Sequence, residues 1–331
     1  MEKPASWSLR SRTLRGWLWQ AALLALLVVC GWWLARNLQA NMAARGIQGG
    51  YDFLWQSAGF DIGEGLLPYN ATLGYWRAFL AGLANTLKVA LPGVLLATLI
   101  GTLVGVARLS RNALLRGLGT AYVETFRNLP LLLQLLLWYL LLTELLPAIE
   151  NAWQAGPFWL SKGGLHFPVL IWGTGGNWEW QMPAKGAFSI EGGGAFSPEF
   201  LALLLGLVLY TAAFVAEVVR AGLQSVPVGQ HEAAYTLGLS RGQTLRRITL
   251  PLALRVVVPP LTNQYLNLTK NSSLAVAIGY PDLVSIANTA INQTGRAVEC
   301  ISIVMLVYLA TSLLTAGVMQ RVNARMAIRE R

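Results

Sequence analysis

The stretch Gly229–Ala253, GQHEAAYTLGLSRGQTLRRITLPLA, is polar, basic and punctuated for helices, yet it lies between two strongly apolar runs. Pro227 suits a first helical turn, the residues from Gly229 to Leu237 are good helix formers, and Gly238 suits the left-handed position that ends a helix. Ser240 with Gln243 three residues later matches a capping box, so a second helix is expected to run to about Leu250. Pro251 opposes its continuation. The spacing therefore predicts two short helices around a tight corner. Leu237, Leu239, Leu245, Ile248 and Leu250 supply apolar contacts, and Arg246 and Arg247 remain cationic. Two uses fit this punctuation equally: a ridge that docks in a partner's groove, or an amphipathic loop resting on anionic lipid.

The surroundings are those of a membrane protein. The chain is 55% hydrophobic and 12% charged, with a mean hydropathy of +0.50, whereas soluble domains carry about a quarter of their residues as charges. Six segments reach the length and apolarity of a span: about 17–37, 86–107, 120–146, 199–220, 254–278 and 298–320. The first follows Arg10, Arg12 and Arg15 as a signal peptide would. Its long core and flanking Trp17, Trp19, Trp32 and Trp33 read instead as an uncleaved span with an interfacial belt. With the N-terminus inside, sixteen Lys and Arg fall in the inner segments, among them Lys3, Arg10, Arg108, Arg111, Arg116, Arg329 and Arg331. Six fall outside: Arg36, Arg45, Arg77, Lys162, Lys185 and Arg296. That asymmetry satisfies the positive-inside rule, so the net charge of +10 needs no nucleic acid. Cys30 and Cys300 sit in apolar runs without metal-ligand spacing and read as inert thiols. The outer stretches 38–85 and 147–198 are rich in Gly, Trp, Pro and Asn, show no sustained period, and read as packed, membrane-adjacent loops.

The corner also carries a family resemblance. Glu232-Ala233-Ala234, three residues, Gly238, nine residues, then Ile248-x-Leu250-Pro251 resembles the EAA loop of ABC importer permeases. The stretches YVETFRNLPLLLQL (122–135), AFVAEVVRAGLQSVPVGQ (213–230) and NQYLNLTKNSSLAVAIG (263–279) resemble the polar amino acid branch. The extra N-terminal span, GGYDFLWQSAGFDIGEGLLPYN and the 147–198 loop are similar to one permease of the general L-amino acid importers. The resemblance implies an all-α membrane protein of about six transmembrane helices, a five-helix permease core plus an N-terminal helix, with two long periplasmic loops. Its organisation would be an N-terminal helix and loop over 1–85, a core over 86–320 and a basic cytoplasmic tail over 321–331. The core would hold the 147–198 insertion and the EAA loop over 223–253.

The resemblance further implies that Glu232, Ala233, Ala234 and Gly238 meet a cytoplasmic ATPase, with Ser240, Ile248 and Pro251 shaping the same loop. The chain has no G-x-x-x-x-G-K-[ST] loop, so ATP and Mg belong to a partner subunit, and no cofactor, metal or catalytic residue is expected here. Expected partners are an ATPase dimer, a second and unlike permease, a periplasmic amino acid-binding protein, the L-amino acid and lipid. The location would be the inner membrane of a bacterium, with both termini cytoplasmic.

Ionisable residues within spans are costly and mark candidate sites. Glu124 with Arg127, and Glu217 with Arg220, sit three apart on one helical face, positioned to pair structurally or to gate. Span five carries Asn263, Gln264, Asn267, Thr269, Lys270, Asn271, Ser272 and Ser273. Of these Gln264, Asn267 and Asn271 recur as one stripe, fit either to line a path or to bond between helices. The family often has acids at Gln264 and Asn271; the amides here suit a neutral, broadly tolerant lining. Residues 279–295 read as a short outer helix. Two rival readings remain: an ATPase-independent secondary amino acid carrier, and a non-transporting scaffold.

Overall fold

The computed structural model describes residues 12–44, 46, 49–172, 176–186 and 189–326. Lys3, Arg10, Arg45, Arg329 and Arg331 lie outside the described residues. The helices are α1 (Arg12–Ala44), α2 (Tyr75–Ala107), α3 (Ala113–Asn128), α4 (Leu131–Glu144), α5 (Pro198–Gln224), α6 (Val228–Thr236), α7 (Arg241–Thr244), α8 (Leu250–Asn271), α9 (Leu283–Thr294) and α10 (Ala297–Met326). Among the described residues, four of them (α1, α2, α5 and α10) are long and apolar enough to cross a membrane alone, or up to six if each of two bent pairs is counted as one span.

The bundle is built on α2 and α5, which run parallel at close range. Ala97, Gly101 and Gly105 recur every four residues along α2. A Cβ added at Gly101 would sit 2.6 Å from the Cβ of Val215 and 2.7 Å from the Ala212 carbonyl oxygen. At Gly105 it would meet the Ala216 carbonyl oxygen at 2.7 Å. Small residues at this spacing let two backbones touch, which drives helix packing where water cannot. Ser197 caps α5 by accepting the Phe200 N–H at 3.0 Å, and Pro198 occupies the first turn. α8 runs back along the pair, with Val257 facing Gly222 and Leu268 facing Gly93. α10 closes the end that carries α6 and α7, where Arg255 Nε donates to the Met326 carbonyl at 2.9 Å. Nearly all of the described α1 side chains are exposed.

The expected span over 120–146 is not one helix. α3 and α4 meet at 106° because Pro130 has no N–H to continue the helix and holds Leu129 extended, at φ −92° and ψ 131°. Gln134 completes the bend: its Nε2 donates to the carbonyls of Phe126 and Leu129, both at 2.9 Å. The short helix expected over 279–295 is α9, started by Asp282 accepting the Ser285 N–H at 2.8 Å and stopped by Gly295 at φ 69°.

The insertion before α5, in which no element was expected, holds eight short strands among its described residues. β1 (Trp153–Ala155), β2 (Phe158–Ser161), β3 (Gly164–Phe167) and β8 (Gly194–Phe196) form an antiparallel sheet in that order. β4 (Val169–Trp172) pairs with β5 (Trp178–Gln181), and β6 (Ala184–Lys185) with β7 (Ile190–Glu191). Strands of two to four residues are too short for a two-residue alternation to be legible.

Gly101→Leu is expected to cost about 2–3 kcal/mol by forcing α2 from α5. It should lower the unfolding temperature of the purified protein in detergent. Gly117→Ala, with open space around the Cβ, should not.

Candidate functional site

At the bundle end carrying α6 and α7, the chain turns a corner. The Leu239 N–H reaches the Ala234 carbonyl at 3.0 Å and the Gly238 N–H reaches that of Tyr235 at 2.9 Å, a Schellman ending with Gly238 at φ 73°. Ser240 then caps α7 with the reciprocal Gln243 bond, at 2.9 Å and 3.4 Å. Beyond it the structure departs from expectation, because Pro251 does not end the helix. Leu245–Thr249 widens into a π turn, in which the Leu250 N–H bonds to the Leu245 carbonyl, and Pro251 falls in the first turn of α8. A proline is tolerated there because the wider π turn takes the place of the regular α-helical bond that the Pro251 nitrogen cannot donate.

The exposed surface of this corner combines apolar side chains with one acid, Glu232, and three cations, Arg241, Arg246 and Arg247. Val228, Tyr235, Leu237 and Leu245 stand out, Leu237 at 79% exposure, beside Glu232 and Ala233. The Glu232 carboxylate has no ion-pair partner among the described residues. Ala234 is a correction: it is fully buried against its own chain and offers no side-chain contact to a partner. The close approach permitted by its small size is made within the corner itself. Ile248 is half-buried and Pro251 exposed.

Two turns from the corner, three guanidinium groups converge on Glu217. Arg108, at the end of α2, lies 2.5 Å from Glu217 Oε2, Arg220 pairs with Oε1 from the same helix, and Arg127 of α3 stands at 4.0 Å. Arg127 also lies over the Phe214 ring, 5.1 Å from its centroid. The expected Glu124–Arg127 pair does not form. Glu124 is exposed on the same side of α3 and makes no ion pair among the described residues, while Arg127 beside it turns to Glu217. The cluster ties α2, α3 and α5 with two more positive charges than negative.

On α8 the structure redistributes the polar residues. Asn263, Asn267 and Lys270 form the exposed stripe, with Gln264 and Asn271 half-buried on its flank. Ser272 is a second correction: α8 stops at Asn271, and the following 3-10 helix (Ser272–Ile278) turns Ser272 into the core, where its Oγ donates to the Thr269 carbonyl at 2.7 Å. Ser273 is half-buried and donates to the Lys270 carbonyl at 2.7 Å. No hydrogen bond or ion pair reaches Lys270 Nζ among the described residues.

A further cluster, at the end carrying the strands, was not anticipated. Buried Asn85 donates to the carbonyls of Glu64 and Pro281, both at 2.9 Å, and accepts the Leu66 N–H at 3.2 Å. Lys88 pairs with Glu64 and sits 4.8 Å from the Phe200 ring centroid. Glu299 accepts the Gly50 N–H at 2.7 Å, and Arg296 holds the Gly50 carbonyl and Asp52. The segment 49–70 is thereby strapped across α2, α9 and α10. A lone lysine inside an apolar span was the available signal for this cluster.

A bundle of apolar helices with an exposed polar stripe on one of them and a capped, exposed corner at one end has the features of a membrane transport subunit. The family described as binding-protein-dependent transport system inner membrane component matches residues 93–328, and the chain belongs to it. It is 41% identical to the putative amino-acid ABC transporter permease protein YhdX of Escherichia coli K12, over 98% of each chain. To the general L-amino acid transport system permease protein AapQ of Rhizobium johnstonii it is 39% identical, over 98% of this chain and 96% of the other. Among solved structures it resembles an amino acid ABC transporter crystallised with histidines, with a TM-score of 0.54 and 25% identity over 76% of this chain and 95% of that one.

Glu217→Gln removes the one anion among three cations and is expected to cost about 3 kcal/mol. Arg127→Gln, at 4.0 Å and with a side chain 40% exposed, should cost no more than about 0.5 kcal/mol. Thermal unfolding of both variants in detergent checks the ranking.

Proposed function

We propose that this chain is the path-forming permease of an ATP-driven, binding-protein-dependent importer of L-amino acids with broad side-chain tolerance. The observation that carries the reading is the stripe of Asn263, Asn267 and Lys270, exposed on α8, which the sequence marks as the fifth span. An ammonium and two amides facing acyl chains are costly, so this face belongs on water or on a second permease that encloses water with it. Amides and one ammonium suit the carboxylate and ammonium common to all amino acids and select little among side chains. The likeness to YhdX, a putative amino-acid permease, and to AapQ, a general L-amino acid permease, supports the substrate class.

The corner formed by α6 and α7 is the coupling element. Val228, Tyr235, Leu237 and Leu245 form an apolar ridge outside the spans, which fits a protein groove better than solvent. Glu232 adds an unpaired anion for a cation on the ATPase. A dimer of ATPase subunits carries the ATP and Mg. When it closes, the displacement passes through residues 225–227 into α5 and so to the Glu217 cluster, which acts as a tie between α2, α3 and α5. In this reading both termini and the corner are cytoplasmic, and the strands and the 49–70 strap face the binding protein. The second permease is an unlike chain. The subunit contributes path and lever, and hydrolysis takes place on its partner. Membership in the importer family sets the ATPase-independent carrier aside.

The test is uptake by the complete importer in vesicles, with its binding protein, with and without ATP on the corner side. Accumulation should require ATP, and a range of L-amino acids should compete. ATP-independent accumulation would overturn the reading. Glu232→Arg with Leu237→Asp should abolish co-purification of the ATPase while the permease stays folded. Asn267→Ala should raise KM or narrow the competing set without loss of assembly; unchanged kinetics would reduce the stripe to packing.

A further inference from the structure

Helix α3 presents three different flanks, and together they fix its surroundings. α4 packs lengthwise on α5, with Leu135 against Gly206 and the Tyr139 hydroxyl 3.3 Å from Glu199. Since α3 meets α4 at 106°, α3 runs across the bundle and not along it. At about 100° per residue, Gly119 and Val123 share the flank that is buried against α2 and α5. On one side of that flank stand Leu114, Leu115 and Leu118, exposed by 69, 49 and 61%. On the other side are Arg116, Glu124 and Arg127, with Arg111 just before the helix.

Water around α3 would wet the leucine flank, and acyl chains around it would strip water from Arg116 and Glu124. A helix lying in the plane of the membrane interface satisfies both flanks at once. The charges add a preference. Arg108, Arg111, Arg116 and Arg127 surround this helix against Glu124 and Glu217, and Arg111 makes no ion pair among the described residues. Arg116 spends only one donor, at 3.4 Å, on the Ser110 carbonyl.

We propose that α3 is an in-plane amphipathic helix whose leucine flank is sunk among acyl chains and whose Arg111 and Arg116 bind the phosphates of anionic phospholipid. The helix also carries Arg127 into the Glu217 cluster, so lipid charge reaches the tie between α2, α3 and α5. The lipid contact does not depend on which substrate is carried, and only the choice of leaflet follows from the proposed orientation.

The test uses the complete importer in vesicles of phosphatidylethanolamine and phosphatidylglycerol. Nitroxide labels are placed by Leu118→Cys and Glu124→Cys in a Cys30→Ser background, Cys300 being buried. The label at 118 should relax with oxygen and not with a water-soluble nickel chelate, and the label at 124 should do the reverse. Shielding of the 118 label from both reagents would show a protein covering the flank and overturn the proposal, as would nickel access at both positions. With the unaltered protein, replacing phosphatidylglycerol by phosphatidylcholine should lower ATP-driven uptake several-fold. Arg111→Gln with Arg116→Gln should lower it equally in the anionic vesicles and remove the lipid dependence. Equal uptake by the unaltered protein in both lipids would overturn the phosphate contact, and the label readings stand independently of uptake.

Discussion

The close approach of α2 and α5 across Ala97, Gly101 and Gly105 is the constraint on which the rest of the molecule is arranged. In lipid there is no water to expel, so helices associate where small residues let backbones touch. That contact holds Arg108, at the end of α2, beside Glu217 of α5, and leaves other flanks of α5 for α4, at Gly206, and for α8, at Gly222. The Glu217 cluster, the bend at Pro130 and the exposed polar side of α8 are all positioned from this one pair.

The corner shows how local chemistry is bent to a tertiary purpose. Gly238 and Ser240 end one helix and begin the next by side-chain and backbone bonds confined to a few residues. Such features are legible in the sequence because they need no distant partner. Pro251 is different. Read alone it stops a helix, but the π turn over Leu245–Thr249 places it among first-turn residues, and one nearly continuous rod links α7 to α8. The corner is therefore joined to α8 along a helix and to α5 through a three-residue link.

Pairing of charges was the least legible part. Glu217 and Arg220, three apart on one helix, pair as local spacing suggests, but Glu124 and Arg127 have the same spacing and do not. The difference is what lies opposite: Arg127 finds a carboxylate and an aromatic face on α5, whereas Glu124 faces away from the bundle. Lys88 was hidden for the same reason, since its partners Glu64 and Phe200 come from a loop and a helix far away in sequence. On α8, helical periodicity grouped Gln264, Asn267 and Asn271, whereas packing leaves Asn263, Asn267 and Lys270 as the exposed stripe, and the end of the helix at Asn271 turns Ser272 inward.

The sequence by itself determined the apolar spans, the capped corner with Gly238 at its turn, the helix over Leu283–Thr294 and, through the EAA spacing, the family. Each rests on periodicity, backbone propensity or a motif confined to neighbouring residues. Only the tertiary structure decided that 120–146 is a bent pair, that Ala234 and Ser272 face inward, and that the 147–198 insertion is made of strands. It alone also gathered Arg108, Arg127 and Arg220 on one carboxylate. The physical reason is the same in each case: burial, strand pairing and ion pairing are settled by groups that meet across helices, and no residue carries the position of its distant partner.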